Sequence, residues 1–144
     1  MQSEEALTYN SSGVDIDENQ KANRLISDIV RETLNKGVVS QPGFFSGAIR
    51  LDSLLRGNQS HLVCDTFNGQ SFDSIELDGS VDWFACLDYF ASTPLTSNSV
   101  LNYVRQLADF CLAKKIAILG GETAEMPGTY RENSQELVSY FFGL

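Results

Sequence analysis

The segment VDWFACLDYFAS at residues 81–92 constrains the fold more than any other part of the chain. It is rich in aromatic residues and apolar at consecutive positions in its middle, so a strand formed here offers no polar face to water. Such a strand is covered on both faces by its own domain or takes part in an oligomer interface. The 144 residues are enough for one domain with a hydrophobic core. We therefore expect this strand to be covered within that domain or by a partner subunit.

Two helices and four further strands are predicted around this segment. The first helix begins at Asp17, which caps its N-terminus while Gln20 completes a capping box, and it closes at Gly37. The second helix is amphipathic and runs from Val100 to Lys115. The remaining strands are predicted at residues 46–51, 60–67, 116–121 and 136–144.

This order of elements predicts an α+β (mixed α/β) fold, with a small curved sheet of four to five strands and two main helices. Residues 1–16 are predicted to form an extended N-terminal arm, and residues 17–144 a single domain. The last strand contains the apolar string SYFFGL, which needs cover. We therefore expect a partner subunit to complete the sheet.

Composition argues against several classes of function. The net charge of −9 and the isoelectric point near 4.4 oppose nucleic-acid binding, which needs a basic face. His61 is the sole histidine, so a zinc site of the usual type is not expected, and a surface position is its simplest assignment. Cys64, Cys86 and Cys111 lie in apolar stretches and are expected to be buried thiols. Apolar runs are too short for a membrane span and no signal peptide is recognisable, so we expect a cytoplasmic or other soluble intracellular protein.

The string ILGGETAEMPGTY at residues 118–130 is the most informative for function. Paired glycines at the end of a strand let a ligand or a second backbone come close. The sequence predicts that the strand ends there and that an acidic turn follows. Glu122 and Glu125 in that turn could act as a general acid/base pair, although solvated or capping carboxylates are more common in turns.

Three other carboxylates have two interpretations each. Asp15 and Asp17 could bind a metal ion, but N-capping of the first helix is the preferred role for Asp17. Asp88 lies inside the apolar strand, and a carboxylate buried there must be hydrogen-bonded or paired. It is therefore either a structural anchor or a site residue.

Three strings together resemble the N-terminal domain of aminoimidazole ribonucleotide synthetase, also called phosphoribosylformylglycinamidine cyclo-ligase. They are TYNSSGVDID, FACLDYFAS and LGGETAEMPGTY, and they occur in that family's order. The resemblance covers residues 8–144 but only the N-terminal half of the family's enzyme, which closes an imidazole ring at the expense of ATP in purine biosynthesis. In the family this domain pairs its strands with a second subunit to build a central barrel. The resemblance therefore implies a homodimer or larger assembly, and the aromatic residues predicted at its interface are Trp83, Phe84, Tyr89, Phe90, Tyr140, Phe141 and Phe142.

The chain also departs from the family's pattern. Where the family has a GTDGVGTK-type loop for the phosphates of ATP and Mg²⁺, this chain has CDTFNGQS, in which Phe67 and Gln70 supply neither a cation nor a side-chain-free amide. The family's magnesium-binding helix is missing between Ile75 and Trp83, and Ser27 stands where a lysine is expected. Asp78 or Asp82 could replace the lost metal ligand by proximity, so the metal ligands stay open. If the nucleotide site is retained, its residues are Asp65, Gly69, Gly120, Gly121 and Glu122.

Two functions follow from these matches and departures. We favour a reduced, catalytically inactive homologue of the cyclo-ligase N-terminal domain, without a cofactor and without catalytic residues, that acts as a dimerising or scaffold subunit. The alternative is an ATP-binding subunit or fragment that uses ATP and Mg²⁺ and contributes to purine nucleotide biosynthesis.

Overall fold

The computed structural model describes residues 8–42, 46–55, 61–69 and 71–144, without the side chain of Ser53. Part of the predicted arm, residues 1–7, and Gln70 of the predicted phosphate loop lie outside this range. The described chain contains two helices, α1 and α2, and four strands, β1 to β4. Their bounds are Ile16–Arg31 (α1), Val63–Asn68 (β1), Trp83–Thr93 (β2), Ser97–Lys114 (α2), Ala117–Glu125 (β3) and Ser134–Gly143 (β4).

The four strands form one mixed sheet in the order β1-β4-β2-β3. β2 and β3 run parallel because α2 carries the chain back between them, whereas β4 is antiparallel to both β1 and β2. The predicted α+β architecture with two main helices and four to five strands is therefore confirmed. None of the helices within the described ranges is long and apolar enough to cross a membrane.

Helix α2 forms where the apolar spacing predicts it, and both of its ends are capped. The hydroxyl of Thr96 accepts a hydrogen bond from the Ser99 amide at the N-terminus. Lys115 ends the helix in the left-handed conformation, with φ of +61°. The apolar stripe at i, i+4, i+7, i+8 and i+11 is buried, and its members are Val100, Val104, Leu107, Ala108 and Cys111.

The core lies between the helices and one face of the sheet. β2 contributes Cys86 and Phe90 to this face, and Phe141 of β4 lies beside them, all three fully buried. The rings of Phe90 and Tyr103 are 5.3 Å apart, and the hydroxyl groups of Tyr103 and Ser139 lie 3.2 Å apart inside the core. Alternate residues of the same strands point to the opposite face, on which neither helix packs.

Helix α1 differs from the prediction at both ends. Asp15 is its N-cap and accepts a hydrogen bond from the Glu18 amide at 3.0 Å, so the prediction of Asp17 as the cap is wrong. The helix ends at Arg31 and not near Gly37. After its last turn the chain continues with hydrogen bonds between residues three apart. The Thr33 hydroxyl then accepts a hydrogen bond from the Ile118 amide of β3.

Two strand predictions and one prediction of a buried cysteine need correction. Residues 46–51 form no strand of the sheet, because only an isolated bridge joins Val38 and Ile49. β3 continues through both glycines to Glu125, since β2 is eleven residues long and pairs with it as far as Ser92. Cys64 is exposed on β1, although Cys86 and Cys111 are buried as expected.

Candidate functional site

The glycine pair lies in the middle of β3, beside the central strand β2. Gly121 is the register partner of Asp88, and a Cβ atom at Gly121 would lie 2.1 Å from Asp88 Oδ1 and 2.6 Å from the Asp88 carbonyl oxygen. Both distances are far below van der Waals contact, so no other residue fits at position 121 without a shift of β2. The close approach that the sequence predicts at these glycines is therefore made by the side chain of Asp88.

Asp88 is a half-buried carboxyl on the face of β2 that the helices cover. Loss of hydration raises its pKa from 3.8 to about 7, and a hydrogen bond from its own backbone amide offsets only part of this effect. The nearby negative charge also raises the pKa of Tyr103, after the larger effect of that phenol's own burial. Among the ion pairs of the described residues none includes Asp88. Burial between the sheet and the helices thus raises the affinity of the Asp88 carboxyl group for a proton.

Glu122 and Glu125 point to opposite faces of β3 and do not form a pair. Glu122 is exposed on the face without helices, next to Tyr89 in register. Glu125 faces the helices and accepts two backbone hydrogen bonds, one from Asp15 at 3.0 Å and one from Leu95 at 2.9 Å. It therefore links the start of α1 to the segment before α2, and the general acid/base interpretation is wrong.

The five predicted nucleotide-binding residues do not converge in this chain. Asp65 lies in β1 and Gly69 just after it, at one edge of the sheet. The other three, Gly120, Gly121 and Glu122, lie in β3 at the other edge. Two strands separate these edges, which puts the strand axes about 14 Å apart. Asp65 is exposed and accepts a hydrogen bond from the adjacent Thr66 amide.

The predicted interface residues are split between the two faces of the sheet. Tyr89, Tyr140 and Phe142 lie on the face without helices, which we call the open face. Phe90 and Phe141 are fully buried under the helices and belong to the core, so their assignment to an interface is wrong. Trp83 and Phe84 are half-buried at the start of β2 and line a cavity described below.

Two further members of the open face were missed from the sequence. Leu87 is the register partner of Tyr140, and Val138 is the partner of Tyr89. They complete an apolar surface across β2 and β4, on which Leu87, Val138 and Phe142 are half-buried and Tyr140 is 40% exposed. Their alternation with core residues was the available signal, but it does not reveal which of two apolar faces the helices cover.

The other candidate ligands have local structural roles. Asp15 caps α1, and Asp17 is exposed in its first turn. Hydrogen bonds from the backbone and side chain of Ser80 to the carboxylate of Asp78 lower the pKa of Asp78. Ser27 donates to a carbonyl of its own helix. Within the part of the chain that the structure describes, no three His, Cys, Asp or Glu side chains are grouped to hold a metal ion.

The proteins that this chain resembles in sequence are longer than the chain itself. No protein-family model matches the chain. It is 30% identical over 159 residues to the phosphoribosylformylglycinamidine cyclo-ligase of Caldicellulosiruptor bescii, and 32% identical over 159 residues to that of Alkaliphilus oremlandii. These alignments cover 95% and 96% of this chain and 46% of each relative, so the chain spans about half the length of the curated relatives it matches.

Solved structures with the same fold have more distant sequences. The hydrogenase maturation protein HypE of E. coli superposes with a TM-score of 0.63 at 14% identity, over 87% of this chain and 42% of HypE. A structure of HypE in complex with ATP gives a TM-score of 0.54 at 17% identity, over 85% of this chain and 39% of that one. At these identities the likeness shows the fold alone. In sequence, the chain is related to the phosphoribosylformylglycinamidine cyclo-ligases and corresponds to their N-terminal domain only.

Proposed function

We propose that this chain is an assembly domain that binds a second copy of itself through the open face, and that by itself it does not catalyse ring closure. One observation carries this proposal. The residues predicted to hold a triphosphate lie on opposite edges of the sheet, whereas apolar residues of β2 and β4 share the open face.

The chemistry of the open face supports an association driven by apolar burial. Leu87, Val138, Tyr140 and Phe142 form adjoining positions on β2 and β4, and exposed apolar patches of this kind mark protein contacts. At one end of the face the Tyr130 hydroxyl donates to Glu136, which gives the apolar centre a polar margin. A second copy with the same surface would bury both patches at once.

The chemistry of β1 supports the loss of nucleotide binding. A phosphate site needs cations or several backbone amides that point inward. The exposed side chains of β1 are Cys64, Asp65, Thr66 and Asn68, and none of them is a cation. Space above Gly69 is taken by the ring of Phe67, whose Cζ atom would lie 2.8 Å from an added Cβ.

Light scattering at several protein concentrations tests the proposal. We expect a dimer that the Tyr140→Glu variant converts to monomer, because the charge would be buried at the centre of the interface. Leu112→Glu is the matched control, since Leu112 is 42% exposed on α2, away from the open face, and Tyr140 is 40% exposed. A monomer at every concentration, or equal dissociation by the control variant, would contradict the proposal.

A second candidate is a subunit or fragment that supplies one wall of an ATP site completed by further polypeptide. It is supported by the exposed carboxylate of Glu122 beside Gly121, by the relatives named cyclo-ligase, and by the fold shared with HypE in complex with ATP. Such a subunit would contribute to purine nucleotide biosynthesis, with Mg²⁺ accompanying the nucleotide. It predicts that this chain binds ATP measurably, which the calorimetric titration at the end of the Discussion tests.

A further inference from the structure

A cavity of about 680 Å³ lies at the end of the sheet where β2 begins and β4 ends. Because β2 and β3 are parallel, this end is opposite the one where Glu125 terminates β3. The cavity is unrelated to the predicted nucleotide residues, none of which lines it. Its apolar wall is formed by Leu77, Val81, Trp83 and Phe84. The volume is within the range of pockets that hold small organic molecules.

Three of the four lysines of the chain line this cavity. Lys36 follows α1, and Lys114 and Lys115 end α2, so lysines far apart in sequence contribute to the lining of one cavity, whose lysine-bearing side we call the rim. The fourth, Lys21, lies elsewhere and pairs with Glu18 at 3.6 Å. Among the described residues, none of the three rim lysines is in an ion pair; Lys114 lies 5.9 Å from the centre of the Phe110 ring. In a protein with a net charge of −9, this concentration of positive charge is unusual.

Two carboxylates and the partial negative charge at the helix C-termini oppose the positive charge of the lysines. Asp78 and Asp82 also line the cavity, but the Asp78 carboxylate already accepts hydrogen bonds from the amide and hydroxyl of Ser80. The Asp82 backbone pairs with Leu144 through two hydrogen bonds of 3.1 and 3.2 Å. Cations at a helix C-terminus also balance its dipole, which is the competing explanation for Lys114 and Lys115.

We propose that this cavity binds an aromatic phosphate, with the ring against Trp83 and the phosphate at the lysine rim. Trp83 is held for this contact, because its indole N–H donates to the Asp78 carbonyl oxygen at 2.9 Å. A flat aromatic body stacks on such a ring. Lysine ammonium groups bind a phosphate as point charges and demand little of its orientation. This site is independent of the open face and of Glu122.

The single tryptophan makes the test specific for the site. In ¹⁵N-labelled protein the only indole N–H resonance belongs to Trp83, and titration with phenyl phosphate should shift it until it saturates. Inorganic phosphate and phenol, which each carry half of the proposed ligand, should both bind at least tenfold more weakly. The double variant Lys36→Gln/Lys114→Gln should weaken phenyl phosphate about fivefold, as expected for the loss of two exposed charge contacts. Lys115 is kept, because it also ends α2 in the left-handed conformation.

Lys21→Gln is the control variant and should change the affinity less than twofold. No saturable shift of the Trp83 resonance up to 10 mM phenyl phosphate overturns the proposal, and so does equal binding of phenol. If the lysines only balance the helix dipoles, the double variant will lower the melting temperature and leave phenyl phosphate binding absent or unchanged. A Glu122→Gln variant should bind as tightly as the unmodified chain, which separates this site from the second candidate function.

Discussion

Replacement of Asp88 by asparagine should change how the stability of the protein depends on pH. The pKa of Asp88 is about 7 in the folded protein and 3.8 ordinarily, so the folded state binds a proton that the unfolded state releases. Between pH 4 and pH 7 the free energy of unfolding therefore falls as pH rises, by up to about 1.4 kcal/mol per pH unit. Over the whole interval the loss is at most about 4 kcal/mol, and the partial exposure of the side chain reduces this to roughly 2–3 kcal/mol.

Asparagine has nearly the same shape and cannot release a proton, so this loss should be absent from the Asp88→Asn variant. Urea titrations of both proteins from pH 4.5 to pH 8 measure the difference in unfolding free energy, in which the titration of all other groups cancels. We expect the difference to move in favour of the variant by roughly 2–3 kcal/mol as the pH rises. A difference that stays constant within about 0.5 kcal/mol, or moves in the opposite direction, would refute the burial argument.

A carboxylate with a lowered pKa provides the control of opposite sign. Hydrogen bonding from Ser97, aided by the charge of Lys21, lowers the pKa of Glu18 below 4.5. Its contribution to stability is therefore present at neutral pH and is lost as the pH falls through its folded-state pKa. The destabilisation caused by Glu18→Gln should accordingly shrink in acid, whereas the effect of Asp88→Asn appears on going to higher pH.

Three further substitutions, two of them paired with a control variant, test individual contacts by urea denaturation. Gly121→Ala should destabilise the protein by about 3 kcal/mol, since its Cβ would overlap Asp88, while Gly79→Ala should be near neutral because no atom lies within 4 Å. Equal effects of the two glycine substitutions would contradict the packing argument. Glu125→Ala should cost about 2 kcal/mol by removing an acceptor from two backbone amides; a change below 0.5 kcal/mol would show that water replaces it. Thr33→Val should cost about 1–2 kcal/mol through the lost hydrogen bond to β3, and Thr33→Ser should restore most of it.

Local patterns predicted the helices and the central strand correctly. The apolar stripe of α2 repeats at helical spacing over several turns, and the apolar segment around Phe90 forms the central strand, with Cys86 and Phe90 fully buried on its helix side. The helix boundaries failed by a few residues, since Asp15 and Asp17 are equally good caps in sequence and only packing selects between them.

The prediction of the site failed for a different reason. Which of its residues lie close together depends on strand order and register. Nothing in the string LGGETAE shows that Gly121 faces Asp88, or that β3 continues through the glycines because β2 is long enough to pair with it. The sheet order likewise places Asp65 and Glu122 on opposite edges, although their family counterparts suggested one site. Such arrangements depend on pairing between distant segments, which periodicity and turn signals do not encode.

Calorimetric titration of the chain with ATP and Mg²⁺ tests most directly whether the predicted nucleotide-binding residues still bind a triphosphate. With the predicted phosphate-binding residues on opposite edges and β1 without a cation, we expect no saturable heat at ATP concentrations up to 1 mM that the Glu122→Gln substitution removes. Micromolar binding to the unmodified chain that Glu122→Gln abolishes would contradict the account and favour the ATP-binding alternative.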